Sequence, residues 1–166
     1  NKHFNLFFNE QWQVKGQIIS YGHDIEAAWL LIEAAKAIQD KNLIILTGET
    51  ALQIADTFMD EALGKDGGVC NEFNSETGIL DTDRHWLPQG ESIIGLGYAW
   101  QLSKEEKYLS SASSIWDFTK NRLIDRKNGE WHWRVNDKGE PNTTDYKMGM
   151  WKAPYHNSRA CIQMNR

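Results

Sequence analysis

Two segments of the chain, residues 24–40 and 89–102, carry apolar side chains on nearly every face of a helix. In the first segment, Ile25, Trp29 and Ile32 recur at helical spacing with little polar surface between them. Such a helix is stable in water only when other elements surround it. Both segments are therefore predicted to be inner helices that the rest of the fold encloses.

The connections between the predicted helices alternate between short and long. About two residues separate each inner helix from the more polar helix that follows it, residues 43–63 or 104–122. The long connections, 65–88 and 123–153, lead to the next inner helix. A fifth helix is expected to begin near Pro154, because proline is favoured in a first helical turn. The unit recurs with a period of roughly 65 residues, which predicts an all-α helical-hairpin array.

The inner helices of such an array point in one direction, so their N-termini and the long loops gather at one end. Two segments within these loops, 67–73 and 129–135, are each predicted to form a β-hairpin. Loops that a rigid scaffold positions are where binding and catalytic residues concentrate. His23 and His156 each come at the start of an inner helix, so both are predicted to lie at this end.

Composition excludes several classes of protein. The 166 residues have a net charge of −5, and Lys and Arg are scattered among more numerous acids, which argues against a nucleic-acid partner. No apolar run approaches the roughly 18 residues of a membrane span. Only two cysteines, Cys70 and Cys161, are present, so a disulfide framework is not expected and a cytoplasmic location is predicted.

Eight tryptophans are unusual for this length. Trp29 and Trp116 lie within helical apolar patterns and are predicted to be core residues. Flat aromatic faces in loops suit sugar rings, whose axial C–H groups pack against them. Four tryptophans in polar, glycine-containing segments are therefore candidate sugar contacts: Trp86, Trp131, Trp133 and Trp151.

The first candidate motif, residues 20–26, contains His23 and Glu26 three positions apart. On a helix these side chains share a face, so the carboxylate could hold or polarise the imidazole. The alternative is a helix-capping arrangement with a packed histidine. A helix N-terminus also disfavours the imidazolium, which helps to keep a base neutral near pH 7.

The second motif, residues 81–91, places Trp86 before a helix start and Glu91 in its first turn. The alternative is a loop with a hydrophobic staple and an acidic first turn. Asp81 and Asp83 could form a general acid–base pair, although their loop position and alternating spacing favour solvated turn residues.

The third motif, residues 151–159, brings Trp151, His156 and Arg159 together within about two helical turns. A purely structural cluster is the alternative. The chain has no glycine-rich phosphate loop, no Cys–His metal spacing and no nucleophile elbow, so neither a metal nor a cofactor is predicted.

The three motifs YGHDIEAAWLL (21–31), DTDRHWLPQGE (81–91) and WKAPYHNSR (151–159) resemble those of the cellobiose and mannobiose 2-epimerases, within the N-acylglucosamine 2-epimerase superfamily. The resemblance spans the whole chain. It implies an (α/α)6 barrel of about twice this length, so residues 1–166 are expected to be the C-terminal half of one barrel domain. The start at Asn1 and the end within a predicted helix agree with that expectation.

The resemblance also implies a reaction. The reducing-end sugar opens, one histidine removes the proton at C2, a cis-enediolate forms, and the second histidine returns a proton to the opposite face. By this resemblance the catalytic residues are His23, His156 and the supporting carboxylate Glu26. The same resemblance implies a disaccharide or monosaccharide substrate without a cofactor, bound by three residues: Trp86, Trp151 and Arg159.

Two departures from the family pattern bear on activity. Leu87 stands where many relatives carry a second tryptophan, which puts the sugar subsite there in doubt. The arginine that stabilises the enediolate in the family comes from the N-terminal half. The isolated chain is therefore expected to be nearly inactive, and its exposed helix faces to favour dimerisation or aggregation.

Two other functions remain open at this point. One is an inverting glycoside hydrolase on a similar helical barrel, with Asp81, Asp83 or Glu91 as the carboxylates. The other is a non-catalytic, helical, sugar-binding module.

Replacement of His156 by Asn separates an epimerase from a binding module. An epimerase is expected to lose turnover and keep much of its sugar affinity, because only the proton-transfer group is removed. A binding module has no turnover to lose, and its sugar binding is expected to be spared. Steady-state kinetics and calorimetric sugar titration of the complete protein measure the two quantities, and unchanged turnover in the variant would rule out His156 as a catalytic residue.

Overall fold

The computed structural model describes residues 2–165, which are mainly helical. The helices in chain order are α1 (Tyr21–Ile38), α2 (Lys41–Ala62), α3 (Trp86–Ser103), α4 (Glu106–Phe118) and α5 (Tyr155–Gln163). A π-helical turn, Thr119–Leu123, extends α4. The helices predicted from the sequence are confirmed, with ends that differ by a few residues. Across residues 2–165, none of the helices combines the length and apolar character needed to cross a bilayer.

The short turn between α1 and α2 is built from local hydrogen bonds. Gln39 ends α1 in the left-handed region, with φ of 61°. Asp40 then caps α2, because its side chain accepts hydrogen bonds from the backbone N–H groups of Asn42 and Leu43. Such a cap satisfies N–H groups that have no partner within the helix. The chain therefore reverses direction within two residues.

The helices form an inner and an outer layer. Helix α3 lies between α1 and α5, while α2 packs on α1 and α4 packs on α3. The polar side chains of Gln89, Glu91 and Ser92 in α3 are fully buried, as expected for an enclosed helix. Helix α1 is less enclosed, since Leu30 and Leu31 are each 40% exposed. The predicted alternation of inner and outer helices is confirmed.

A glycine allows the two inner helices α1 and α3 to approach closely. A Cβ atom at Gly95 would lie 2.5 Å from Cγ1 and 3.1 Å from the carbonyl oxygen of Ile25. Ile25 is fully buried in the main apolar cluster. A side chain at position 95 would therefore force the helices apart.

Short antiparallel strands fill the ends of the helical layers. The strands are β1 (Phe7–Phe8), β2 (Val14–Lys15), β3 (Ile18–Ser20), β4 (Glu72–Asn74), β5 (Ile79–Asp81), β6 (Arg84–His85) and β7 (Arg134–Val135). Strands β1 and β2 pair with each other, β3, β4 and β5 form one sheet in that order, and β6 pairs with β7.

The two predicted hairpins, at 67–73 and 129–135, are wrong in their pairing. Residues 72 and 73 belong to β4, which pairs with β5 further along the same loop and with β3 before α1. Strand β7 at the end of the second segment pairs with β6, which belongs to the other long loop. The local pattern identified extended residues, but the strand partners come from distant parts of the chain. The pairing of β6 with β7 joins the two long loops at the start of α3.

The contact between α1 and α3 generates a stability prediction. Gly95→Ala is expected to lower the free energy of unfolding by about 1–3 kcal/mol, the typical cost of overpacking a core. Gly97 in the same helix is the matched control, since a Cβ there would meet nothing within 4 Å. Gly97→Ala is expected to raise the free energy by up to about 1 kcal/mol through helix propensity. Urea denaturation followed by circular dichroism measures both changes, and equal values would contradict the proposed close contact.

Candidate active site

His156 lies in the first turn of α5 and is 7% exposed. Its Nδ1 atom is 2.7 Å from Oε1 of Glu91, in the second turn of α3. A carboxylate only accepts hydrogen bonds, so Nδ1 carries a proton and Nε2 is the basic atom of the neutral ring. The structure thus orients one imidazole and leaves its other nitrogen available for proton transfer.

Glu91 is fully buried and joins three side chains. Besides the His156 ring, its carboxylate accepts hydrogen bonds from Nε1 of Trp29 at 3.0 Å and from Nη2 of Arg159 at 2.7 Å. A carboxylate out of contact with water needs such partners, because its desolvation is otherwise costly. Glu91 therefore links the middle of α1 to the first two turns of α3 and α5.

Arg159 lies between two carboxylates and two aromatic rings. Its Nη2 atom is 2.6 Å from Oε1 of Glu26 and 2.7 Å from Oε1 of Glu91. The guanidinium carbon is 4.8 Å from the ring centroid of Trp29 and 4.5 Å from that of Tyr155. Burial alone would lower the pKa of Arg159, but the hydrogen bonds to Glu91 and Glu26 outweigh it, so the pKa is raised. Arg159 therefore remains a fixed positive charge.

His23 has a different environment. It lies in the first turn of α1, is exposed, and its Nδ1 atom is 2.7 Å from Oγ of Ser20. A hydroxyl group can donate or accept, so this contact does not select one tautomer. The Glu72 carboxyl is also nearby: burial and the charge of Asp81 raise its pKa, while the charge of His23 acts in the opposite direction.

The predicted pairing of Glu26 with His23 is wrong. Glu26 lies three residues after His23, but its Oε1 atom accepts hydrogen bonds from Tyr155 at 3.1 Å and from Arg159 at 2.6 Å. It also lies 3.9 Å from Nδ1 of His156. The Arg159 cation attracts the carboxylate across to α5. The same contact holds the N-termini of α1 and α5 together, so the two histidines begin helices at one end of the molecule.

The candidate sugar-binding tryptophans divide by exposure. Trp151 is 78% exposed, whereas Trp86 is 5% exposed and packs against Trp133 with ring centroids 4.6 Å apart. The centroid of Trp86 is 6.5 Å from that of His156, edge to face. Trp131 is also 5% exposed and belongs to the same apolar cluster as Trp86. Trp86 borders the His156 ring, and Trp151 is open to solvent.

The loop aspartates mainly stabilise the loops. Asp81 accepts a hydrogen bond from Nδ2 of Asn71 at 2.9 Å. Asp83 forms an ion pair of 2.8 Å with Arg134, which also pairs with Asp145. The Asp83–Arg134 pair ties the two long loops together beside the paired strands β6 and β7.

One group of side chains has the spacing of a metal site. Ligand-type atoms of Glu26, Glu91 and His156 all lie within 4.8 Å of one another. The Arg159 guanidinium, however, bonds both carboxylates and already supplies a positive charge there. The group is therefore an ion-pair cluster that orients His156.

Sequence reasoning missed the pairing of Glu91 with His156. The available signal was that Glu91 is the sole charged residue in Trp86–Ser103, an otherwise neutral and largely apolar helix. A charge in an enclosed helix requires a partner. The identity of that partner, 65 positions away, could not be read from the spacing of residues.

Comparison with known proteins identifies the family. The model of the N-acylglucosamine 2-epimerase (GlcNAc 2-epimerase) family matches residues 1–160. The chain belongs to this family. It is 41% identical over 162 residues to the cellobiose 2-epimerase of Bacteroides fragilis, and 38% identical over 160 residues to that of Ruminococcus albus. These alignments cover 98% and 96% of this chain, and 41% and 40% of the relatives.

Solved structures of N-acylglucosamine 2-epimerase relatives agree with the observed fold. A sugar epimerase from a ruminal bacterium is 36% identical with a TM-score of 0.93, over 98% of this chain and 41% of that one. The predicted fold class, a helical-hairpin array of an (α/α)6 barrel, is confirmed. The chain spans about two fifths of the length of the curated relatives that it matches.

The role of Glu91 generates a prediction about stability. Glu91→Gln removes the charge that Arg159 and His156 share, and it is expected to lower the free energy of unfolding by about 3 kcal/mol, as for a broken buried ion pair. Glu26→Gln is the matched control, because its side chain also bonds Arg159 but is 13% exposed, against 0% for Glu91. Glu26→Gln is expected to lower the free energy of unfolding by less than Glu91→Gln does. Chemical denaturation compares the two variants, and an equal or larger loss for Glu26→Gln would contradict the central role of Glu91.

Proposed function

We propose that the protein containing this chain is a carbohydrate 2-epimerase that inverts C2 of a reducing-end sugar, with cellobiose or mannobiose as substrates. The observation that supports this most strongly is the His156 ring, held through Nδ1 by buried Glu91, at the end of the molecule where His23 begins α1. Relatives named cellobiose 2-epimerase support the choice of disaccharide.

The chemistry requires two proton-transfer groups. After the sugar ring opens, the C1 aldehyde makes the C2–H bond acidic. One imidazole takes the C2 proton, and the electron pair moves through the C1–C2 bond to the carbonyl oxygen, giving a cis-enediolate. The second imidazole returns a proton to the opposite face of C2. Histidine suits both steps because its ordinary pKa is near neutrality, and each transfer contributes about 10²–10⁴-fold in rate.

The two histidines are equipped differently for these steps. Glu91 orients the His156 ring and stabilises the imidazolium that forms when Nε2 takes a proton. His23 is exposed and its Nδ1 atom bonds the Ser20 hydroxyl, so a proton on its ring exchanges readily with water. In this proposal hydrogen from solvent therefore enters the product at C2.

The proposal assigns sugar binding to aromatic residues near His156. Trp151 is open to solvent and Trp86 borders the His156 ring, so both are candidates for contact with a sugar that reaches His156. The assignment of Arg159 as a sugar contact stays a prediction. Its bonds to Glu26 and Glu91 favour a role in holding the N-terminal ends of α1 and α5 together.

The proposal also covers the rest of the protein. Residues 1–166 would form the C-terminal half of the barrel, and the N-terminal half would supply the arginine that stabilises the enediolate. Exposed apolar side chains on α1, including Leu30, Leu31 and Ile38, are surfaces that further helices or a second copy could cover. The cysteines Cys70 and Cys161 are free, which is consistent with a cytoplasmic location.

The hydrolase alternative is less well supported by the site. Asp83 is paired with Arg134, and Glu91 is fully buried and shared by three side chains. An inverting hydrolase needs a carboxylate that activates a water molecule in the cleft. Asp83 and Glu91 are not free to do so in this arrangement, and the third candidate, Asp81, accepts hydrogen bonds from Asn71 and from the backbone N–H of Asp83.

Solvent isotope exchange tests the proposal. The complete protein in deuterium oxide is expected to convert cellobiose or mannobiose to its C2 epimer with deuterium at C2, measured by proton NMR. The isolated 166-residue chain is expected to show less than about a hundredth of that rate, because stabilisation of the oxyanion is often the largest catalytic contribution. His23→Asn and His156→Asn in the complete protein are each expected to abolish conversion.

Three outcomes would contradict the proposal or a part of it. Release of monosaccharide without C2 exchange would identify a hydrolase, and sugar binding without exchange or hydrolysis would identify a binding module. Full turnover by the isolated chain would contradict the need for a second half-barrel.

A further inference from the structure

Lys152 is a buried lysine that the proposed chemistry does not use. Its side chain is 1% exposed, and its Nζ atom is 2.8 Å from Oε1 of Glu130 and 2.7 Å from the carbonyl oxygen of Lys147. Lysine is almost never fully buried unless it is paired. The buried ammonium group therefore holds its two partners, the Glu130 carboxylate and the Lys147 carbonyl group, in place.

The Glu130 carboxylate connects Lys152 to α5, the helix that carries His156. Its Oε1 atom also accepts a hydrogen bond of 2.7 Å from Nδ2 of Asn157, which follows His156 in α5. Burial alone would raise the pKa of Glu130, but the hydrogen bond from Lys152 and further contacts outweigh it, and the pKa is lowered. The pair is thus a charged contact between the loop after α4 and the start of α5.

Lys152 also faces the aromatic cluster. Its Nζ atom lies 5.7 Å from the ring centroid of Trp86, which also contacts the rings of Trp133 and His156. A desolvated ammonium over an indole face is an attractive arrangement. The preceding residue, Trp151, is 78% exposed. The inward-facing Lys152 therefore contacts one candidate sugar-binding ring directly and anchors the backbone next to the other.

We propose that Lys152 is a positioning residue for sugar binding: its ion pair with Glu130 holds Trp86 and Trp151 in the geometry that receives the sugar. This inference rests on the proposed function. His156 has its own anchor in Glu91, so Lys152 acts on substrate binding more than on proton transfer.

The kinetic test uses Lys152→Met in the complete protein. We expect KM for the disaccharide to rise about tenfold, with kcat changed less than about threefold. The reason is that Lys152 helps to hold Trp86 in place, and a desolvated cation–π contact corresponds to a change of about tenfold or more in an equilibrium constant. Lys138→Met, an exposed lysine in the same long loop, is the matched control and should leave both constants unchanged. An unchanged KM in Lys152→Met, or a fall in kcat with KM constant, would overturn the proposal.

A double variant separates positioning from loss of folding. Lys152→Met leaves the partly buried Glu130 carboxylate without its cation, which is expected to destabilise the protein. Lys152→Met with Glu130→Gln removes both charges, and the amide oxygen of the introduced glutamine can still accept the hydrogen bond from Asn157. We expect this variant to recover most of the lost thermal stability and to keep the raised KM. Recovery of a normal KM together with stability would show a purely structural role.

A separate measurement distinguishes failure of this inference from failure of the proposed function. If the unaltered complete protein shows no exchange at C2, the epimerase proposal fails. Calorimetric titration with cellobiose then decides the role of Lys152: weaker binding in the double variant supports positioning, and equal binding overturns it.

Discussion

The site depends on the hydrogen bonds that surround the buried, charged side chain of Glu91. In α3, an otherwise uncharged helix, this carboxylate could be placed out of water only by surrounding it with donors. The donors come from Trp29 of α1 and from His156 and Arg159 of α5. The hydrogen bonds that satisfy this one buried charge therefore hold three inner helices together, and they also orient the imidazole of His156.

Further ion pairs hold the two long loops at the same end of the helices. Arg134 links the two long loops through Asp83 and Asp145, and Lys152 links the loop after α4 to α5 through Glu130. Each pair is at least partly shielded from water, where removal of one partner costs more than an exposed pair would. One of these ion pairs, that of Lys152, also lies against the ring of Trp86 beside His156.

The asymmetry between the two histidines follows from their helices. His156 begins α5 against the enclosed helix α3, so its ring is buried and anchored by a carboxylate. His23 begins α1, and its ring is exposed and bonded to a serine hydroxyl. The proposed epimerase reaction needs proton transfer on both faces of one carbon, and these two unlike environments would allow one group to stay oriented while the other exchanges with solvent.

The sequence by itself determined the helices, their alternation of inner and outer layers, and the common end for His23 and His156. These properties depend on the spacing of apolar residues and on short turns, which are local. Tertiary structure alone decided that β7 pairs with β6, that Glu26 turns from His23 to Arg159, and that Glu91 holds His156. Hydrogen bonds and ion pairs form between whichever groups the packed helices bring within about 3 Å, and that proximity is set by the whole fold and not by distance along the chain.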